Sequence, residues 1–222
     1  MTPSIAIQAG GLLRLLRPKQ WIKNAFVIAP LVFARAFMDP AAIRNTAIAV
    51  VLFCCASSAT YILNDLHDID KDRLHPTKRQ SRPLAAGTVT PAAAKAALLT
   101  LVVVVLLAWF WSPPTALALF GYLALNVAYT FVLKDQPVAD IFSIAVGFVL
   151  RVYAGAAAIS VPLSSWMAIT TLCLALYLAS IKRRQELALV GPDSRKVLHH
   201  YSPELIDRYA EMSAVGALIF YS

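Results

Sequence analysis

Asn64-Asp65-Leu66-His67-Asp68-Ile69-Asp70-Lys71-Asp72 begins where the long apolar run 43–63 ends, and this junction of a membrane-length segment with a carboxylate cluster decides how the chain is read. If the helix continues through it, Asp65, Asp68 and Asp72 fall at i, i+3 and i+7 and share one face, while Asp70 points away. Like charges stacked in this way repel, and divalent cations relieve the repulsion. Hard oxygen ligands that leave coordination positions open are what Mg²⁺ uses to hold the phosphates of a substrate. A solvated acidic loop is the competing explanation, and for an isolated Asp-x-x-Asp it would suffice. Three phased carboxylates at the end of an apolar run, followed by Lys71, Arg73, Lys78, Arg79 and Arg82, favour a metal-diphosphate site instead.

The composition sets the class. The chain is 59% hydrophobic and only 14% charged, and its apolar stretches approach the ~20 residues needed to cross a bilayer. The expected fold is all-α, a polytopic transmembrane helical bundle forming one integral membrane domain over residues 1–222. Candidate spans are 24–37, 43–63, 92–111, 116–133, 138–159 and 166–181, with a last one opening near Met212. The first is short for a full crossing. The last reaches Ser222 without a polar flank or a helix end signal, so further spans are expected beyond it. The run Leu12 to Leu16 is too brief, and too interrupted by Arg14, to serve as a cleavable signal. Cys54, Cys55 and Cys173 all lie inside expected spans and read as small buried apolar residues.

A net charge of +8 could suggest nucleic acid, but its distribution argues for a membrane. Arg14, Arg17, Lys19 and Lys23 lie on one side and are joined two crossings later by the Lys71 to Arg82 group. Lys134 follows after two more, then Lys182, Arg183, Arg184, Arg195, Lys196 and Arg208. The alternate loops hold little beyond Arg35 and Arg44. By the positive-inside rule the basic loops and the aspartate cluster are cytoplasmic. Part of this charge sets topology and meets anionic headgroups.

Other polar residues recur at span ends: Tyr129 and Lys134-Asp135 after one span, Asp140 opening the next, and Lys182-Arg183-Arg184 with Glu186 after another. With the aspartates they could ring one cavity. Arg151 is different, because it lies about midway along its span, where a charge costs at least ~2.5 kcal/mol unless it finds a polar cavity or a partner. A structural arginine bonded to helix carbonyls is the alternative to a substrate-binding one.

Asn64-Asp65-x-x-Asp68-x-x-x-Asp72 resembles the first aspartate-rich motif of the UbiA-type intramembrane prenyltransferase superfamily, and Arg82-Pro-Leu-Ala-Ala-Gly87 resembles the segment that follows it there. The chain as a whole is most similar to the decaprenyl-phosphate phosphoribosyltransferase branch. The matching pieces are Arg17-Pro-Lys-Gln-Trp-Ile-Lys-Asn24, the aspartate motif, Tyr129-x-x-x-x-Lys134, Gly147-Phe-Val-Leu-Arg151 and Ile181-Lys-Arg-Arg-Gln-Glu186. The commoner members carry a second aspartate-rich motif after the sixth span. Here Lys182-Arg183-Arg184 takes that place, which removes a second metal site and adds donors for phosphate.

The resemblance implies a UbiA-like bundle of about nine spans in a bacterial inner membrane, around a cavity open to the cytoplasm and at one side to lipid. It implies transfer of 5-phosphoribose from phosphoribosyl diphosphate to polyprenyl phosphate for cell-wall precursor synthesis, with Mg²⁺ as cofactor. On this reading Asp65, Asp68 and Asp72 hold Mg²⁺ on the diphosphate, with Asn64 as a neutral ligand or orienting amide. Tyr129, Lys134, Asp140, Arg151, Lys182, Arg183 and Arg82 surround the donor. Lys19 and Lys23, flanking Trp21, are candidates for the lipid phosphate, with a plain membrane-surface anchor as the alternative. The partners are the bilayer and the two substrates, with a homo-oligomer left open and nucleic acid not expected. The four histidines read as solvated. An aromatic prenyltransferase remains open, because it too begins by removing diphosphate, and a transporter is the alternative from another class.

Overall fold

The structure is a computed structural model that describes residues 5–190 and 196–221; Arg195, counted above among the basic loop residues, lies outside them. Three of the long helices start where a capping side chain precedes a proline. Asp39 accepts from the Ala41 N–H at 2.9 Å and opens α3, Pro40–His67. Thr90 accepts from Ala93 N at 3.2 Å and opens α6, Pro91–Leu107. Ser202 accepts from Leu205 N at 3.1 Å at the start of α10, Pro203–Tyr221. In each case the side-chain oxygen satisfies an N–H that has no partner within the helix, and proline's fixed φ suits the first turn.

The remaining helices are α1 (Ile5–Leu15), α2 (Ala29–Phe33), α4 (Ile69–Leu74), α5 (Lys78–Ser81), α7 (Pro113–Phe131), α8 (Ala139–Ala158) and α9 (Ser165–Val190). Among the described residues there is no strand. Five helical stretches, Pro40–His67, Pro91–Phe110, Pro113–Phe131, Ala139–Ala158 and Ser165–Leu189, are long and apolar enough to cross a membrane. They coincide with the five expected spans from 43–63 to 166–181. The protein is therefore an all-α, multi-pass membrane protein. α3 packs on α6, α7 and α8, and α8 on α7 and α9, which in turn packs on α10. α3 and α8 are the best covered, while α6 turns Leu99, Val103, Leu106 and Leu107 outward, as a lipid-facing helix does.

Two expectations fail. Helix α10 begins at Pro203, well before Met212, and carries Glu204, Asp207, Arg208 and Glu211 in its first turns. The segment 24–37 is not a single α-helix, although the chain here runs antiparallel to α3, from Arg17 beside Asp65 at one end to Asp39 capping the other. It forms instead a 3₁₀ helix, Pro18–Ile28, followed by the five-residue α2. An eleven-residue 3₁₀ helix is unusually long. Its period of three explains it, because Trp21, Asn24 and Val27 share one face. Trp21 Nε1 donates to Ser58 Oγ at 3.0 Å, and Asn24 Nδ2 to Ser57 Oγ at 3.3 Å, both on α3.

Val27 sits directly over Gly155 of α8. A Cβ built at Gly155 would lie 2.0 Å from the Val27 carbonyl oxygen, so only glycine lets the two backbones touch. Small residues serve the same end in membrane bundles generally. Gly155→Ala should push the 3₁₀ segment off α8 and destabilise the protein by roughly 1–3 kcal/mol. Thermal unfolding in detergent would read this, and an unchanged melting temperature would show that the close approach is dispensable.

Candidate active site

The ends of α3, α7 and α9, the start of α8 and the 3₁₀ helix enclose a cavity of about 800 Å³. Its lining cations are Arg17, Lys23, Lys71, Lys78, Arg82, Lys134, Arg151 and Lys182, and its lining carboxylates are Asp68, Asp72 and Asp135, so cations outnumber carboxylates by eight to three. Ile22, Phe26, Leu125, Phe148 and Leu178 supply apolar wall. Such a lining suits a polyanion attached to an apolar group. Asn64, Tyr129, Lys134, Arg151, Lys182, Lys23 and Arg82 of the expected site all border it; Lys19 is exposed and does not.

The aspartate cluster does not continue one helix. α3 ends at His67, Asp68 leaves the helix at φ −96° and ψ 9°, and the chain re-enters α4 at Ile69. The bonds Asp68 N to Asn64 O and Asp72 N to Asp68 O nevertheless keep a four-residue spacing across the break. Asp70 points away, as expected, and pairs with Arg73 at the surface. Asp65 is buried behind the cavity wall, where Arg17 Nη2 and Arg82 Nη1 both donate to its Oδ1 and leave Oδ2 without a partner. Lys134 Nζ grips both oxygens of Asp68 at 3.1 and 3.3 Å. Asp72 lies 3.6 Å from Lys78 Nζ and 3.9 Å from Arg82 Nη1.

Among the described residues no three acidic, histidine or cysteine side chains converge closely enough to hold one metal ion. The three aspartates thus form no preassembled ligand cluster, and each is met by a neighbouring cation. The donors still fit Mg²⁺, which is held by one or two carboxylates together with water and substrate phosphates. Asp68, Asp72 and Asn64 offer hard oxygens along the cavity, and Asp65 keeps one buried oxygen unsatisfied.

Arg151 lies at the cavity floor. Its Nε donates to Asn24 Oδ1 at 2.9 Å, Nη1 to the Gly147 carbonyl at 2.8 Å and Nη2 to Tyr122 Oη at 3.0 Å. The guanidinium also lies over the rings of Tyr122, Phe148 and Phe53. Three donors are thus committed to the protein, including one to a helix carbonyl.

Asp140 and Arg183 depart from the donor-contact expectation. Both are fully buried, and neither borders the cavity. Arg183 Nε donates to Asp140 Oδ2 at 2.6 Å and Nη1 to Glu186 Oε2 at 2.6 Å. Arg184 turns outward to Asp207, at 3.1 Å. Tyr201 donates to Asp140 Oδ1, and burial together with that carboxylate pushes its phenol well above the ordinary range, so it stays protonated.

Residues that motif spacing did not single out as site members are Arg17, Asn24 and Tyr122. Arg17 adopts a left-handed backbone at φ 54°, uncommon for a non-glycine residue and doubly so before proline. That conformation turns its guanidinium over Tyr61 and onto Asp65. None of the described histidines borders the cavity.

Two outcomes follow from these contacts. Arg151→Lys keeps the charge but loses the fork, leaving Asn24, Tyr122 or the Gly147 carbonyl unpaired, so stability should fall by about 1–3 kcal/mol; thermal unfolding in detergent measures it, and a wild-type melting temperature would contradict a supporting role. Lys23 is partly desolvated and lies near the like charges of Lys182, Arg151 and Arg17, which together lower its amine to about 8. It is therefore protonated, and able to hold an anion, only below that value. Affinity for a lipid phosphate, measured calorimetrically, should drop between about pH 7 and about pH 9, and Lys23→Arg should flatten the profile, since guanidinium stays charged.

Residues 25–210 match the UbiA prenyltransferase family. The decaprenyl-phosphate phosphoribosyltransferase of Mycolicibacterium smegmatis is 37% identical over 221 residues, 95% of this chain and 69% of that protein. The protein of that name from Corynebacterium glutamicum is 38% identical over 222 residues, 96% of this chain and 67% of that protein. A solved UbiA homologue from Archaeoglobus fulgidus, bound to GPP and Mg²⁺, superposes with a TM-score of 0.79 at 21% identity, over 95% of this chain and 76% of that one, and so shares the fold. With a family match across most of its length and relatives at this identity, the chain belongs to the UbiA prenyltransferase family.

Proposed function

We propose that this chain is an intramembrane transferase that moves the 5-phosphoribosyl group of phosphoribosyl diphosphate to polyprenyl phosphate. The observation that carries the reading is the cation surplus around Asp68 and Asp72 in a cavity with an apolar wall. The donor is anionic at both ends, at its diphosphate and at its 5-phosphate. The acceptor joins a phosphate to an apolar chain. One cavity with many cations and an apolar side accommodates both.

In the reaction the bond from the ribose anomeric carbon to the diphosphate oxygen breaks, and a bond to an oxygen of the lipid phosphate forms. Charge grows on the leaving diphosphate while the sugar gains oxocarbenium character, so fixed positive groups near the diphosphate lower the barrier. Lys134, Lys182 and Arg82 border the cavity and are the residues we assign to that charge. Mg²⁺, held by Asp68, Asp72 and Asn64 with Asp65 behind them, would supply further charge neutralisation at the diphosphate. The acceptor phosphate is largely ionised at neutral pH and needs no general base, in keeping with a cavity that no described histidine borders. Lys23 and Arg17, on the 3₁₀ segment beside the lipid, are assigned to the acceptor phosphate. By the basic-loop count, the cavity opens to the cytoplasm of a bacterial inner membrane.

An allylic diphosphate is the second reading, because a solved structure with this fold holds GPP and Mg²⁺. That donor carries charge at one end only and would leave much of the cation surplus unmatched. Purified protein should move radiolabel from phosphoribosyl diphosphate into lipid in the presence of polyprenyl phosphate, and should not prenylate aromatic acceptors from allylic diphosphates. Chelator or Asp68→Asn should abolish the transfer. Full activity in excess chelator would reject the metal assignment, and activity only with allylic donors would move the chain to the second reading.

A further inference from the structure

Tyr201 lies outside the cavity, on the turn before α10, yet it heads a continuous buried chain of hydrogen bonds that ends at the cavity wall. Its hydroxyl donates to Asp140 Oδ1 at 2.7 Å and accepts from the Val138 N–H at 2.7 Å. Asp140 accepts Arg183 Nε on its other oxygen, and Arg183 Nη2 donates to Tyr129 Oη at 3.3 Å. Tyr129 borders the cavity. Asp140 and Arg183 are completely buried, and Tyr201 is 5% exposed.

The start of α8 is held in a costly shape at the same point. Val138 has φ 68° and ψ −48°, and Ala139 N bonds to the Pro137 carbonyl at 2.7 Å, which closes a three-residue γ-turn. That turn is strained for any side chain, and for a β-branched one especially. Such a conformation persists only where surrounding contacts over-determine it. The Tyr201 hydroxyl is one such contact, because it takes the Val138 N–H and the Asp140 carboxylate at once. Asp140 is thereby fixed, and with it the direction from which Arg183 approaches Tyr129.

We propose that Tyr201 is a positioning residue for the donor end of the cavity, acting through Asp140 and Arg183 on Tyr129. The inference rests on the transfer reaction proposed above for the identity of the donor, but its core, the placement of a diphosphate-facing tyrosine, does not depend on which organic group the donor carries. A purely structural bond would affect folding alone. A positioning bond affects the anion that Tyr129 meets.

The test is a double-mutant cycle read by calorimetric binding of Mg²⁺-diphosphate, with phosphoribosyl transfer as a second readout. Tyr201→Phe should weaken diphosphate binding and raise the donor KM roughly tenfold, the scale of one disrupted buried hydrogen bond, while the polyprenyl-phosphate KM stays within about twofold. In a Tyr129→Phe background Tyr201→Phe should add little further loss, since the path to the ligand is already cut. Because Tyr201→Phe also frees the strained turn, a Tyr201→Phe/Val138→Gly variant is included, in which glycine accepts the positive φ without strain. It should recover the melting temperature and retain the binding defect. Unchanged diphosphate affinity, full additivity with Tyr129→Phe, or recovery of binding along with stability would each overturn the proposal. Loss of phosphoribosyl transfer in the wild-type protein, with the diphosphate cycle intact, would instead count against the donor assignment alone.

Discussion

A guanidinium halfway along a membrane helix has to be solvated by the protein itself, and Arg151 draws four elements together to achieve it. Asn24 comes from the 3₁₀ helix, Tyr122 from α7, Phe53 from α3 and the Gly147 carbonyl from its own turn of α8. The cost of burying a charge in such surroundings is large enough that each partner is under constraint. The short 3₁₀ segment, already tied to α3 through Trp21 and Ser58, gains a second anchor at this point. Asn24 ties it to Arg151, and Gly155 lets its backbone rest against α8. The cavity floor is therefore the same set of contacts that closes the bundle at that side.

At the charged end the logic differs, since the carboxylates need compensation in proportion to their burial. Asp65 is the most enclosed of the three and meets two guanidiniums, whereas the partly buried Asp68 meets one lysine head-on. Arginines suit the buried carboxylate because the guanidinium is less strongly hydrated than an ammonium. Lysines occupy the positions next to open cavity. Lys134 and Lys78 each pair with a cavity-lining carboxylate, so a phosphate entering there competes with Asp68 or Asp72 for cations already in place.

Most of the fold was legible because membrane helices are written in long apolar runs, whereas the Asp-Pro, Thr-Pro and Ser-Pro pairs that set three helix starts went unread, so α10 was placed too late. The region 24–37 was not legible, because a length-and-hydropathy reading assumes an α-helix, and the chain forms a 3₁₀ helix and a short α-helix there. The signal was present as the period of three in Trp21, Asn24 and Val27, which no helix of 3.6 residues per turn would align. Several of the polar cavity residues, Asn64, Tyr129, Lys134 and Lys182, could likewise be read from their positions at span ends. Arg17 could not be ranked among them, since its role depends on a left-handed backbone that no residue type announces except glycine.

The basic triplet Lys182-Arg183-Arg184 shows where reading charge as a cluster breaks down. Successive residues on a helix point about 100° apart, so three neighbouring cations cannot all face one ligand. In the structure they divide: Lys182 borders the cavity, Arg183 turns into the protein to Asp140 and Glu186, and Arg184 turns out to Asp207 on α10. The triplet therefore places one cation at the cavity and two in ion pairs away from it. The buried arginine is the more consequential of the two, because its carboxylate partner directly follows a strained turn and its remaining donor reaches a cavity tyrosine. Charge at that position reaches the cavity through geometry, by fixing Tyr129, and the long-range field of a fully paired guanidinium adds little to it.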